Sequence, residues 1–301
     1  MANPSSSRFR VPTFVLAAGL TILSGFLFTG SHGIIRHIGG FGVELHPFEI
    51  AFFSNLFSVL FYIPLFLRDG LQILYTPNLS LHIFRSFFNA ASLTTFYTAL
   101  TLTPLADVTA LALAGPLFVT LGALFFLGEI IRARRWIALS FGALGALIII
   151  RPGFETFSIG FFFVILSSIC AAGSKLFAKH LTRSESAVTC SAYVAILQTP
   201  ITFIAALFVW DNPSLEQLVW LAAIGFLVAM AHISMVQAYK YADISAMEPF
   251  VFLRLIWAAS IGLIAFGELP GIWTWVGGVI IVTASSYIAR RESKSKARSL
   301  I

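Results

Sequence analysis

The residues best suited to handling a polar solute cluster at one point of a strongly apolar chain: Glu248, Pro249, Arg254 and Trp257 lie within ten residues. Charged side chains at membrane depth are costly, so they face a cavity or a partner. Arg254 is the deepest lone cation. It can meet a carboxylate, phosphate or other acceptor on a substrate, or be held structurally by a salt bridge or backbone carbonyls. Glu248 stands six residues earlier, about 240° around a helix, so the two do not share a face. Glu248 is a candidate proton-coupling carboxylate, since desolvation favours its neutral form; the alternative is an interfacial acid near the helix start. Pro249 lacks a backbone donor and can open the helix locally. Trp257 offers a ring for stacking on a flat ligand, or for ordinary packing.

Other polar groups are more scattered. Arg85, Asn89 and Ser92 fall at i, i+4 and i+7, one stripe on an apolar helix. Arg85 is close enough to the helix end to snorkel, whereas Asn89 is deeper and the better substrate-binding candidate; Tyr97 is placed near the outer mouth. His32 and Lys175 each follow a Gly-Ser pair. The small pairs permit close helix approach. Lys175 is either a binding cation or a snorkelling one, and His32 either a titrating gate or a solvated end residue. Glu49, Asn55 and the Ser54, Ser58, Tyr62 stripe belong to a second helix, and His232 and Gln237, weaker candidates, to an eighth. No phosphate-binding glycine loop, metal-spaced cluster or nucleophile–base pair is present. The expectation is therefore no catalytic residues, no metal, no cofactor and no enzyme activity.

The elements that must position these groups are membrane helices. The chain is 58% hydrophobic and 11% charged, more apolar surface than a soluble fold of this length can cover. A hydrocarbon core of about 30 Å takes about 20 apolar residues per helix. Ten spans are expected, at 12–35, 47–67, 81–102, 106–127, 134–151, 158–179, 186–210, 218–239, 244–266 and 271–289. The joining segments are too short for a soluble catalytic domain. Cys170 and Cys190 both fall inside spans, which argues against a disulfide framework. The net charge of +6 reflects topology rather than nucleic-acid binding. Arg8, Arg10, Arg132, Arg134, Arg135, Arg183 and the run from Arg290 gather on one side. Arg36 and Arg151 fall on the other with Asp107, Asp211 and Glu216. Positive residues stay inside, so both termini are expected in the cytoplasm, with the basic tail touching anionic lipid. Asp107 and Asp243 are read as helix N-caps.

The chain also repeats itself. Ile22-Leu23-Ser24, Gly30-Ser31, Arg36 and His37 recur 143 residues later as Ile165-Leu166-Ser167, Gly173-Ser174, Lys179 and His180. Ala99, Gly128, Glu129 and Trp136 recur 139 residues later as Ala238, Gly267, Glu268 and Trp275. Five spans per copy invert the second copy relative to the first, an architecture of carriers. Glu129 and Glu268 then end equivalent helices on opposite faces, each closing its helix with the preceding glycine or, in the sharper alternative, gating. The expected fold is all-α and polytopic: ten transmembrane helices as two inverted five-helix repeats around a central cavity. The expected divisions are an N-terminal tail 1–11, repeats 12–151 and 158–289, a linker 152–157 and a basic tail 290–301.

The order Tyr97-Thr98-Ala99-Leu100, Pro104-Leu105-Ala106-Asp107, Pro116-Leu117-Phe118, Phe126-Leu127-Gly128-Glu129, Arg135-Trp136 and Arg151-Pro152-Gly153 resembles the EamA domain of the drug/metabolite transporter superfamily. The second copy is similar through Ala238-Tyr239-Lys240-Tyr241, Glu248-Pro249 and Phe266-Gly267-Glu268. The resemblance covers about 12–290. His46-Pro47-Phe48-Glu49-Ile50-Ala51-Phe52-Phe53 and His82-Ile83-Phe84-Arg85 look nearest to the S-adenosylmethionine-transporter-like bacterial branch. There Ser54 departs, standing where that branch often has arginine. The resemblance implies secondary transport of a small polar metabolite (amino-acid-, nucleoside- or S-adenosylmethionine-like) across a bacterial inner membrane. The alternatives weighed are a membrane-embedded enzyme or a lipid scramblase using the same cavity. The expected partners are the small-molecule substrate and membrane lipid, not nucleic acid. Substrate identity and oligomeric state stay open.

Overall fold

A computed structural model describes residues 11–40, 45–70, 75–127, 133–151, 158–181, 187–241, 247 and 250–298. Among these, the regular structure is helical. The segments are α1 (Val11–Gly40), α2 (Pro47–Asp69), α3 (Leu79–Leu102), α4 (Leu105–Ala112), α5 (Gly115–Leu127), α6 (Ala133–Ile150), α7 (Ile159–Leu181), α8 (Ala187–Leu207), α9 (Leu215–Tyr241), α10 (Arg254–Phe266) and α11 (Ile272–Arg298). Four stretches are long and apolar enough to cross a membrane: Thr13–Gly40, Leu105–Gly122, Ile159–Ala178 and Leu215–Met235. Shorter apolar helices lie at Pro47–Phe61, Trp136–Ile150, Tyr193–Leu207, Arg254–Phe266 and Ile272–Tyr287.

The segments differ from the expected spans where backbone chemistry forces it. The stretch 106–127 is not one helix: α4 and α5 meet at a turn through Leu113 and Ala114, where Ala114 N–H bonds Leu111 O at 3.0 Å. Pro116 is the cause, since it has no N–H for the carbonyl four residues back and its ring crowds that carbonyl. A second turn interrupts the chain at Phe252–Leu253, 139 residues after the first. There Leu253 N–H bonds Phe250 O and Leu255 N–H bonds Phe252 O, a tightened i→i+3 pattern. Glu248 and Pro249 lie outside the described residues, as do Gly128, Glu129 and Asp243. α1 runs past residue 35 to Gly40, and α11 continues through the expected tail to Arg298.

The helices pack in a recurring arrangement. α1 lies along α9 and α3 along α7, α6 pairs with α11, and α2 contacts both α8 and α9. One core joins both halves of the chain, from Ile35, Ile38 and Ile50 to Leu221, Ile224 and Ile281.

At the end of the bundle where α1 finishes, an ion pair ties four segments together. Arg36, expected in an exposed loop, is buried on α1 at 6% exposure. Its Nε donates to Glu268 Oε1 at 2.6 Å, and a second guanidinium nitrogen bonds the same oxygen. Its other terminal nitrogen donates to Leu100 O at 2.8 Å and Thr103 O at 2.7 Å, at the C-terminus of α3. Glu268 Oε2 accepts the Leu105 N–H at 3.1 Å, at the start of α4. That position was expected to be capped by Asp107; Pro104 holds the N-cap position, and Asp107 sits in the first turn accepting the Thr274 hydroxyl at 2.5 Å. Gly267 aims Glu268: with φ at +67° it ends α10, while Glu268 N–H reaches back to Gly262 O and Gly267 N–H to Leu263 O.

Replacing Glu268 with Gln leaves the Arg36 charge uncompensated in a buried site, which costs about 3–5 kcal/mol. The expected readout is a lowered melting temperature of the purified protein. Exchanging the charges, Arg36→Glu with Glu268→Arg, restores little, because a carboxylate on α1 would face the carbonyls of Leu100 and Thr103.

Candidate functional site

The turn at Phe252–Leu253 delivers Arg254 as the first residue of α10. Its aliphatic stem crosses α1 at Gly25, where an added Cβ would sit 3.2 Å from Arg254 Cγ. The guanidinium carbon lies 4.6 Å from the centroid of the Phe28 ring, a cation–π distance. The edge of Phe28 meets His232 of α9 at 4.9 Å and 88°. One turn further along α1, His32 packs against Phe96 of α3 at 5.0 Å. One turn along α10, Trp257 meets Phe26 edge-on at 5.3 Å. The Trp257 indole N–H is buried and has no hydrogen-bond acceptor.

His32 and His232 lie within electrostatic reach of Arg254; His32 is half-buried and His232 exposed. The four helices that meet at this cluster, α1 and α3 from the first half of the chain and α9 and α10 from the second, form part of the seam between the halves.

Of the residues singled out from sequence, Arg254, Trp257 and His32 meet here, and His232 joins them. Glu248 lies outside the described residues. Asn89 is elsewhere, in a line of side-chain hydrogen bonds. Its Nδ2 donates to Gln198 Oε1 at 2.5 Å, Gln198 Nε2 donates to Asn55 Oδ1 at 3.1 Å, and Asn55 Nδ2 donates to Thr202 Oγ1 at 3.3 Å. Ser174 of α7 donates to Asn89 Oδ1 at 3.4 Å. This line stitches α2 and α3 to α7 and α8. Lys175, next to Ser174, is exposed. Tyr97 is packed in the core at 3% exposure, hydrogen-bonded with Ser54. Arg85 docks the start of α3 on α8 through Cys190 O at 2.8 Å. Nearby, His82 stacks on Tyr193 at 4.3 Å.

Sequence reasoning missed Gln198, Phe28 and Phe96. Gln198 carried a usable signal, a lone amide in an apolar run. The two phenylalanines carried none, among 31 in the chain. A separate groove of about 460 Å³ between α6 and α11 is lined by Ile137, Phe141, Val279 and Ile280 among others. It gives a polar solute little to bind. Among the described residues, no group of three or more His, Cys, Asp or Glu could hold a metal ion.

The model of the EamA-like transporter family matches the chain twice, over residues 15–151 and 158–290. The chain is 34% identical over 252 residues to a riboflavin transporter of Brucella anthropi, covering 81% of this chain and 88% of that one. It is 29% identical over 259 residues to an S-adenosylmethionine uptake transporter of Rickettsia bellii, covering 86% and 89%. A crystal structure at 18% identity has the same fold, with a TM-score of 0.58 over 93% of this chain and 98% of that one. The chain belongs to the EamA-like transporter family, whose members here are named as transporters and not as enzymes.

Interhelical hydrogen bonds in membrane proteins average about 0.6 kcal/mol and reach about 1.7. A double-mutant cycle with Asn89→Ala and Gln198→Ala is expected to give a coupling in that range in unfolding measurements without ligand. Gly25→Val pushes the Arg254 stem off α1. It is expected to impair solute uptake while lowering the melting temperature less than Glu268→Gln does.

Proposed function

We propose that this chain is a secondary active transporter that moves a small polar organic metabolite by alternating access between two inverted five-helix repeats. The observation that carries the reading is the cluster of Arg254, Trp257, His32 and His232 where α10 meets α1 and α1 meets α9 and Phe96 of α3. A site on the seam between two halves is one that rocking can open to either side.

Several features support the inverted repeat. The family model matches each half separately. The helix turns at 113–114 and 252–253 are separated by the same 139 residues that relate Glu129 to Glu268. Exchanging the halves turns the α1–α9 packing into the α7–α3 packing, and α6–α11 into itself. The charge bias argues for cytoplasmic termini in a bacterial inner membrane. On that topology the Arg36–Glu268 tie holds the outer end of the bundle closed. Arg254 and Trp257 contact substrate, with Asn89, Tyr97, Lys175 and Glu248 as the remaining candidates. Glu248 and His32 are the candidate groups for proton coupling or gating; exchange against a second substrate molecule is the other energy source. The relatives' names make riboflavin and S-adenosylmethionine the first solutes to try.

The test is uptake of each labelled solute into proteoliposomes, with the recovered solute checked for chemical change. Unmodified accumulation is expected for one of them. Losing a charge-assisted hydrogen bond worth about 1.5–3 kcal/mol makes Arg254→Ala slower by about tenfold or more. If Arg254→Ala and Asn89→Ala both transport at the wild-type rate, the site assignment is wrong.

A further inference from the structure

We propose that the groove between α6 and α11 binds an anionic membrane phospholipid, with one hydrocarbon chain in the groove and the phosphate at the basic positions where α6 starts and α11 leaves the bundle. The inference does not rest on the carrier reading, and failed uptake would leave it standing.

The groove follows from how the two helices cross. An added Cβ on Gly145 of α6 would sit 2.8 Å from Gly277 O, and one on Gly277 of α11 would sit 2.5 Å from Gly145 O. The backbones therefore touch at this point, as small residues allow. Ile149 also packs on Gly277, and Gly145 on Ile280 and Ile281, so the helices run antiparallel. Toward the start of α6 the contact opens into the groove of about 460 Å³. Ala138 and Ala284 are buried and form its floor. Ile137, Phe141, Val279 and Tyr287 are exposed and form its walls. From Val279 to Tyr287 a helix rises roughly 12 Å. One leaflet of the hydrocarbon core is about 15 Å deep. An apolar slot of that length suits a lipid chain.

Helix register selects the headgroup. Arg134 stands three, four and seven residues before the lining positions Ile137, Ala138 and Phe141. Arg290 stands three and seven residues after Tyr287 and Thr283, and Arg291 and Lys294 stand four and seven after Tyr287. Positions at these spacings share a helix face. The stripes that line the groove thus continue into basic positions on both helices, at the same end of the pair. Glu292, five residues after Tyr287, falls about 140° off that stripe. Tyr287 stands between the two zones, as aromatic residues do at headgroup level.

A second copy of the chain is the other occupant for an apolar slot. A two-fold axis along the membrane normal would set Arg134, Arg290 and Arg291 against their own copies, and like charges oppose that contact. A zwitterionic lipid would fill the slot but gain little from the basic positions. An anionic phospholipid answers both.

The experiment is native mass spectrometry of the full chain with phosphatidylglycerol or phosphatidylcholine. Retention of one phosphatidylglycerol is expected, with an affinity about tenfold or more above that for phosphatidylcholine. Arg134→Gln and Arg290→Gln are each expected to weaken it about fivefold, with little change for phosphatidylcholine. Thr283 is an exposed lining residue, so Thr283→Trp fills the slot from outside the core. It is expected to abolish selective retention while the lipid-free melting temperature stays the same. Equal retention of the two lipids overturns the inference. So does unchanged phosphatidylglycerol retention in Thr283→Trp, which would place the lipid on the basic tail alone. Glycerol 3-phosphate at the same concentration should not displace the lipid; displacement would show that the phosphate is held without the groove. A dimer that Thr283→Trp dissociates would give the slot to a second copy instead.

Discussion

A charge buried in an apolar bundle has to be satisfied completely or it will not stay folded, and Arg36 shows how this chain meets that demand. Removing a guanidinium from water is costly, and its attraction to a carboxylate offsets the cost only when the remaining donors are also bonded. Arg36 spends its donors on Glu268 and on the last carbonyls of α3. Those carbonyls are orphaned by helix geometry and sit at the negative end of the helix dipole. Glu268 spends its second oxygen on the first N–H of α4, at the positive end of another. One ion pair therefore completes two helix termini, and it does so between segments far apart in the chain. The position of Gly267 is part of the same device, since only its left-handed backbone swings the glutamate back toward α1.

The rest of the bundle's polar chemistry follows from the same rule. The line through Asn89, Gln198 and Asn55 gives each amide a partner on another helix. Such bonds orient helices without much net energy, because the same groups find partners in the unfolded membrane state too. They fix which face of α3 looks at α8. That in turn presents Phe96, two turns further along α3, to His32. The amides are therefore connected to the Arg254 cluster through helix orientation rather than through direct contact with its aromatic residues.

Much of this was legible in the sequence, for definable reasons. Apolar stretches separated by charge marked the helices, because length and hydropathy are local properties. Gly267-Glu268 was legible as a helix closure. Its partner was not, since Arg36 is 232 residues away and its charge resembled that of a loop residue. Asn89 stood out as a buried amide, yet its partner Gln198 passed unremarked although the same argument applied to it. Pro116 sat in plain view inside an expected span, but hydropathy averages over a single proline and hid the turn. The second turn, at Phe252–Leu253, falls three residues after Pro249, which the sequence marked as a place where the helix can open. Arg254 and Trp257 were found by chemistry; Phe28 and Phe96 were not, because an aromatic residue that lines a cavity has the same local signature as one that fills a core.

The difference between the two kinds of contact bears on how such a bundle could move. At the Arg36 end, directional bonds cross the seam, and each must break for the segments to part. At the Arg254 cluster the described contacts across the seam are ring against ring, with Arg254 laid over Phe28, beside one hydroxyl bond from Ser24 to Ala231 O at 2.8 Å. Ring pairs are worth about 0.5–1.5 kcal/mol beyond burial and tolerate sliding between stacked and edge-on arrangements. A seam held this way can part by exchanging one ring contact for another. A seam sewn with amide pairs would instead have to strip partners from groups that cannot be left bare in a low-dielectric interior. On the carrier reading, the rigid contacts belong at the ends that open and close decisively, and the soft ones belong where the solute sits in every state of the cycle. The placement of the Arg36–Glu268 tie and of the ring contacts around Arg254 follows that division.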